Sequence, residues 1–279
     1  MPQRTSAEDR DEFGLTPPEP RAPEWNLRTM LRRRGLEPFR LVGRRAVIRP
    51  REPTQIEAYF QRLKRYSFRL VLRDLIARPG TEPDRLTRFC SPATIRSHLA
   101  FLSEVGLIEP WEHGQRLLFS PRSFGETLEW FVAKLFEEEF SCETLWGVRV
   151  KGREPGGDYD LLARVEHELV YVEMTASPPK HIYQHDVAAF FNRVRQVAPH
   201  LAVYFVDTEL RMTDKLAPLF EAELRAHHGA RGRTRFPVTR LRRELYHVNH
   251  RIFLVNSKRS LPDNFKLCLK DYWGSLIGV

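Results

Sequence analysis

Cysteine is scarce in this chain: three residues, Cys90, Cys142 and Cys268, in 279. Their wide spacing fits neither a disulfide framework nor a zinc ribbon, and it predicts buried thiols. No apolar run approaches the roughly 18 residues needed to span a bilayer. The N-terminus has no apolar signal-peptide core. No internal repeat is visible. These absences exclude a disulfide-stapled scaffold and a helical membrane protein. The expectation is a cytoplasmic protein with no membrane partner.

Charge is plentiful and unevenly placed. The formal net charge is +9. Residues 1–122 carry 23 Lys+Arg against 15 Asp+Glu, residues 123–228 carry 11 against 18, and residues 229–279 carry 11 against 3. An acidic middle between two basic flanks suits a cation site bordered by surfaces for phosphate.

The chain opens with a charged, proline-rich tail, 1–24, that lacks apolar periodicity and reads as disordered. A basic extension, 25–53, follows, with a short helix to Arg34 and a small hairpin over Phe39 to Ile48. Helical spacing of apolar residues then predicts one helix over Ile56 to Ala77, stopped by Pro79-Gly80. A short helix, Glu82 to Phe89, comes next. Ser91 and Pro92 are an N-cap and first-turn pair for a helix over Ala93 to Val105. Gly114 turns a two-stranded hairpin, which Arg116 to Phe119 completes. With its phrase SPATIRSHLAFLSEVGLIEP, the stretch 54–122 resembles a winged helix-turn-helix domain. The resemblance implies that the helix from Ser91 enters the major groove of DNA. Thr94, Arg96, Ser97 and His98 are the exposed candidates for nucleic-acid contact, with Arg116 on the wing.

Residues 123–279 read as a second, α/β unit with a basic C-terminal part. Ser123-x-x-Glu126 suggests a capping box before an apolar helix to Phe140. A strand from Thr144 to Lys151 leads into GGDYDLLARVEHELVYVEMTASPPK, residues 156–180. Tyr159–Val165 and Leu169–Thr175 read as the two strands of a β-hairpin. Asp160 and Glu173 are acids in otherwise apolar strands, and such acids are costly to bury unless paired or bound to a metal. If the turn closes with two or four residues, Asp160 faces Thr175, Leu162 faces Glu173, and the two acids share one face. A three-residue turn puts Glu173 on the other side. After Lys180 come a helix to Val197, a buried strand over Leu201 to Val206, a helix from Thr213 to His227, a strand over Tyr246 to Asn256 and a closing helix from Asn264 to Trp273. His181 and His185 lie one turn apart but have no third ligand nearby.

The Gly-rich turn, Asp160-Leu161-Leu162-Ala163 and the apolar strand ending at Glu173 resemble the PD-(D/E)XK nuclease superfamily, the restriction-endonuclease-like fold. The resemblance implies Asp160 and Glu173 as metal ligands and catalytic acids, with Asp160 preferred over Asp158. It implies Glu129, on the preceding helix, as a further metal ligand, and Mg²⁺ or Mn²⁺ as cofactor. Thr175 stands where the family has lysine, so Lys180, or Lys151 on the neighbouring strand, becomes the substitute cation. The fold class expected is therefore α/β: an N-terminal winged helix-turn-helix domain, then a restriction-endonuclease-like domain with a central mixed sheet. The function expected is metal-dependent hydrolysis of phosphodiester bonds in double-stranded or structured DNA before RNA, with a homodimer left open. The alternative is a degenerate nuclease-like domain in a winged-helix regulator or complex subunit.

Overall fold

A computed structural model describes residues 26–40, 47–119, 121–151, 158–229 and 235–277. The tail 1–24, most of the hairpin expected over Phe39 to Ile48, and Gly156 and Gly157 lie outside them. Ten strands and eight α-helices are described. Eight strands form one mixed sheet in the order β1 (Glu37–Arg40), β4 (Glu143–Lys151), β5 (Asp158–Val165), β6 (Glu168–Thr175), β7 (Leu201–Val206), β10 (Ile252–Asn256), β9 (Leu245–Val248), β8 (Val238–Arg242). β7 runs parallel to both β6 and β10, and the other pairs are antiparallel.

β7 explains why the sheet is covered twice. Its sequence LAVYFV is buried at every position. Leu201, Val203 and Phe205 enter one core, while Ala202, Tyr204 and Val206 enter the other. A strand that is apolar on both faces needs helices on both. The first core packs α5 (Gly125–Phe140) and α8 (Leu261–Leu276) with the helices of the N-terminal module. The second packs α1 (Leu27–Arg33), α6 (Gln184–Val197) and α7 (Leu216–His228).

The N-terminal module is α2 (Pro53–Leu63), α3 (Tyr66–Ala77), α4 (Pro92–Glu104) and the separate hairpin β2 (Ile108–Trp111) and β3 (Gly114–Leu117). The single helix expected over 56–77 is two helices, because Arg65 takes an extended ψ of 121° and restarts the chain as α3. The helix expected at 82–89 is a 3-10 turn, Pro83–Arg85. Ser91 caps α4 as expected, accepting from Thr94 N–H at 3.2 Å. The capping box at Ser123 does not form: the Ser123 hydroxyl accepts from Gly125 N–H, and Phe124 is the N-cap. Gly114 is tied to its place, since a Cβ there would stand 2.0 Å from the Thr81 carbonyl oxygen.

One ion pair joins the module to the sheet. Arg69 of α3 is fully buried and forks onto Asp207, just past β7, at 2.7 and 3.0 Å. The same guanidinium donates to Ser257 Oγ at 2.8 Å and to the Leu63 carbonyl at 2.5 Å. Ser257 Oγ in turn donates to Asp207 at 2.6 Å. A buried carboxylate and guanidinium are tolerable because their hydrogen-bonding groups are met. The three cysteines are free; burial pushes the Cys142 thiol up to about 12 and raises that of Cys268.

Candidate active site

The hairpin β5–β6 closes with a two-residue turn, Glu166-His167, between the pair Val165 and Glu168. Leu162 therefore faces Tyr171, and not Glu173. The register differs by two residues from the one expected, so the alternation of faces survives. Pairing between β5 and β6 stops at Leu161 and Val172. Beyond that point β5 stays with β4 as far as Arg149 and Asp158, while β6 stays with β7 as far as Thr175 and Val206. The strands thus part at Asp160 and Glu173.

Asp160 occupies the fork. Its Oδ2 accepts from the backbone N–H of Met174 at 2.7 Å, so its side chain extends the ladder that its backbone has left. On β4 the matching gap holds Gly147, with φ of 56°, between the paired positions Trp146 and Val148. That left-handed conformation suits glycine. The alternation shifts phase here, because Tyr159 and Leu162 both face the second core. Asp160 therefore stands between the two faces. Glu173 continues the second face, where Arg193 of α6 donates to its Oε1 at 2.7 Å and the Tyr171 hydroxyl to its Oε2. Glu129 of α5 approaches from the first face.

The electrostatics follow from this crowding. Burial, then Glu173, then Glu129 raise the Asp160 carboxyl well above the usual range. The Met174 N–H and Arg193 act the other way and do not cancel the rise. Burial also raises Glu173, against the opposing pull of Arg193 and Tyr171. Asp160, Glu173 and Glu129 thus share a site with one guanidinium, and Asp186 adds to the rise of Glu173. A small cleft of about 250 Å³ opens on Glu173 and is also lined by Thr175, His181, Asp186 and Arg193. Thr175 is half-buried, and its hydroxyl accepts from Ser177 N–H at 3.0 Å.

The other candidates separate. Asp158 is exposed and ion-paired with Arg149, which leaves Asp160 as the inward acid. Lys180 is exposed and lies in the 3-10 turn Pro179–His181, so it does not begin the helix α6. It lines a different and larger groove, about 900 Å³, between α3, the turn after it and the ends of β6 and β7. Arg73, Arg78, Arg85, Arg88 and Arg211 line that groove as well. Lys151 is exposed at the end of β4. His181 and His185 are both exposed, and His185 stacks on Tyr183.

A comparison with protein-family models gave no match, and no curated protein matches the sequence. Among solved structures, protein VC1899 from Vibrio cholerae matches with a TM-score of 0.43 and 15% identity, over 67% of this chain and 53% of that one. The chain thus spans about half the length of that protein.

On α4, Arg96 and Ser97 are exposed, and Arg96 pairs with Asp84 at 2.8 Å. Thr94 is half-buried and bonded to Ser91 Oγ at 2.9 Å. His98 is a correction. It is buried, 3.0 Å from Ser67 Oγ and edge-on to Phe68. Burial, with Arg62 and Arg65, lowers its pKa to about 4. Ile95, His98, Leu99 and Leu102 share one helical face, so the i, i+3, i+4 spacing already pointed inward. Arg116 of the hairpin lies over the Trp111 ring at 3.6 Å and pairs with Glu109 at 2.6 Å. Among the described residues, no helix is long and apolar enough to cross a membrane.

The sequence reading missed Arg193, Tyr171 and the Arg69–Asp207 pair. Arg193 had a usable signal: it is a cation on the α6 face that also carries Phe190 and Val197. Nothing local in the sequence marks Arg69 or Asp207 as partners.

Proposed function

We propose that the protein is a divalent-metal-dependent nuclease of the PD-(D/E)XK type acting on DNA, with a winged-helix module as its duplex-binding part. The crowding at the strand fork carries this reading. A carboxylate raised by two neighbouring carboxylates gains most from a small divalent cation, and Asp160, Glu173 and Glu129 offer the hard oxygen ligands that Mg²⁺ or Mn²⁺ prefers. When bound, the cation supplies a Lewis acid and a bound water of lowered pKa. The residues of the chain do the rest. Arg193 keeps a fixed positive charge beside Glu173, in the place of the missing lysine. Thr175 has a hydroxyl to orient water or phosphate. The groove with Arg73, Arg88 and Lys180 tracks phosphate next to the cleft, and Arg96 on α4 grips the duplex.

The test is cleavage of single-stranded, duplex and branched DNA with Mg²⁺ and with Mn²⁺, comparing the wild type with Asp160→Asn. Metal-dependent cleavage lost in the variant supports the reading. Binding without cleavage under either metal replaces it with the second one. That second reading is a DNA-binding regulator with a degenerate nuclease-like domain. It has its own observation: both Glu173 oxygens are already engaged, by Arg193 and Tyr171.

A further inference from the structure

A second group of ligand-bearing side chains lies away from the fork. His247 of β9, His250 of the turn before β10 and Asp271 of α8 each offer one ligand atom, and all three atoms lie within 4.8 Å of one another. His247 is buried, and the other two are half-buried. His250 Nδ1 is 2.7 Å from Asp271 Oδ2. His247 Nδ1 accepts from the His250 backbone N–H at 3.1 Å, and the two imidazoles stack with centroids 4.1 Å apart.

The turn that carries His250 is left-handed. Arg251 N–H donates to the Val248 carbonyl at 3.1 Å, and the two residues inside the turn, Asn249 and His250, have φ of 48° and 55°. Glycine takes that conformation freely, and asparagine and histidine are found there more often than most other residues. An aspartate holding one histidine explains a staple between turn and helix. It does not call for a second imidazole stacked on the first.

We propose that His247, His250 and Asp271 form a site for a transition-metal cation of the zinc class. Two imidazole nitrogens and one carboxylate oxygen suit Zn²⁺, Ni²⁺ or Co²⁺, with water completing the shell. They do not suit Mg²⁺, which wants oxygen on nearly every side. Ligand distances of about 2.0–2.2 Å put neighbouring donor atoms about 3.3–3.6 Å apart around a tetrahedral ion. To ligate, His247 must release the bond its Nδ1 accepts from the His250 N–H, which frees that lone pair, and the ion takes the place of the proton shared by His250 and Asp271. Bound there, it ties the β9–β10 turn to the closing helix.

The experiment is a calorimetric titration of the full chain with Zn²⁺, in the wild type and in an Asp160→Ala, Glu173→Ala background that removes the fork acids. His250→Gly deletes a ligand while suiting the left-handed turn, and Asp271→Asn weakens a second one. One Zn²⁺ per chain is expected in both parents, with affinity falling at least about tenfold in each ligand variant. Zn²⁺ should raise Tm in the parents and raise that of His250→Gly less at the same concentration. Unchanged zinc affinity in His250→Gly, or no binding and no Tm shift at millimolar zinc, overturns the proposal. Neither result bears on cleavage with Mg²⁺ at the fork, so the two readings fail separately.

Discussion

Asp160 and Asp207 are both inward-facing aspartates at one region of the same sheet, and they are treated oppositely. Asp207 meets a forked guanidinium and a serine hydroxyl. Asp160 meets one backbone N–H and two other carboxylates. A chain folding only for stability would have no use for the second arrangement. The contrast separates an acid that holds the structure together from one that the structure tolerates, and tolerated strain of this kind concentrates at functional sites.

The largest effect should come from breaking the satisfied pair. Arg69→Met leaves Asp207 buried without its partner and should cost about 3–5 kcal/mol in urea unfolding. A loss below about 1 kcal/mol would mean that Asp207 has found water or a new donor, and the contrast would weaken.

Asp160→Asn should do the reverse. Under the proposed function cleavage should fall by about 10²–10⁴, while stability rises by about 1 kcal/mol, seen as about 2–4 °C in Tm. A destabilised variant would show that Asp160 is held by its Met174 contact more than it is repelled by its neighbours.

The pH dependence sharpens the same point. The folded-state pKa of Asp160 lies above its unfolded value, so the folded chain binds the proton more tightly. Stability from this group is then greatest at low pH and falls as pH rises from about 4 through the raised value. Asp160→Asn should flatten that part of the stability profile, and Mg²⁺ should raise the wild-type curve on its alkaline side. A superimposable wild-type and variant profile would contradict the crowding.

The smallest effect belongs to an exposed pair. Arg96 and Asp84 are both in solvent, so Arg96→Ala should change stability by about 0–1 kcal/mol. If the α4 reading holds, the same change lowers the salt slope of DNA binding by about one unit. An unchanged slope would turn this helix toward protein partners.

Periodicity made most helices legible, since apolar residues at helical spacing record local geometry, and an unbroken apolar run marked the buried strand β7. The acids of the fork were legible for the same reason, as polar breaks in apolar strands. The break between α2 and α3 was not, because Lys64 and Arg65 carry no turn signal. The hairpin register differs by two residues because pairing Leu162 with Glu173 needs a four-residue turn over 166–169, whereas the chain closes with two, Glu166, at φ of 56°, and His167. His98 was misplaced because its polarity outweighed its spacing. The pair Arg69–Asp207 depends on how distant elements meet, and nothing within either local stretch encodes it, whereas Arg193 and Glu173 are each marked locally and only their meeting is not.

The Arg69 latch also sets an order of events during synthesis. Its partners lie 138 and 188 residues downstream. At about 5–20 residues per second, Asp207 emerges roughly 7–30 s after Arg69. Through that interval the first three helices of the module carry a guanidinium meant for the interior with nothing to neutralise it. The N-terminal module is therefore made first and finished late, and its closure waits on the strand that ends beside Asp207.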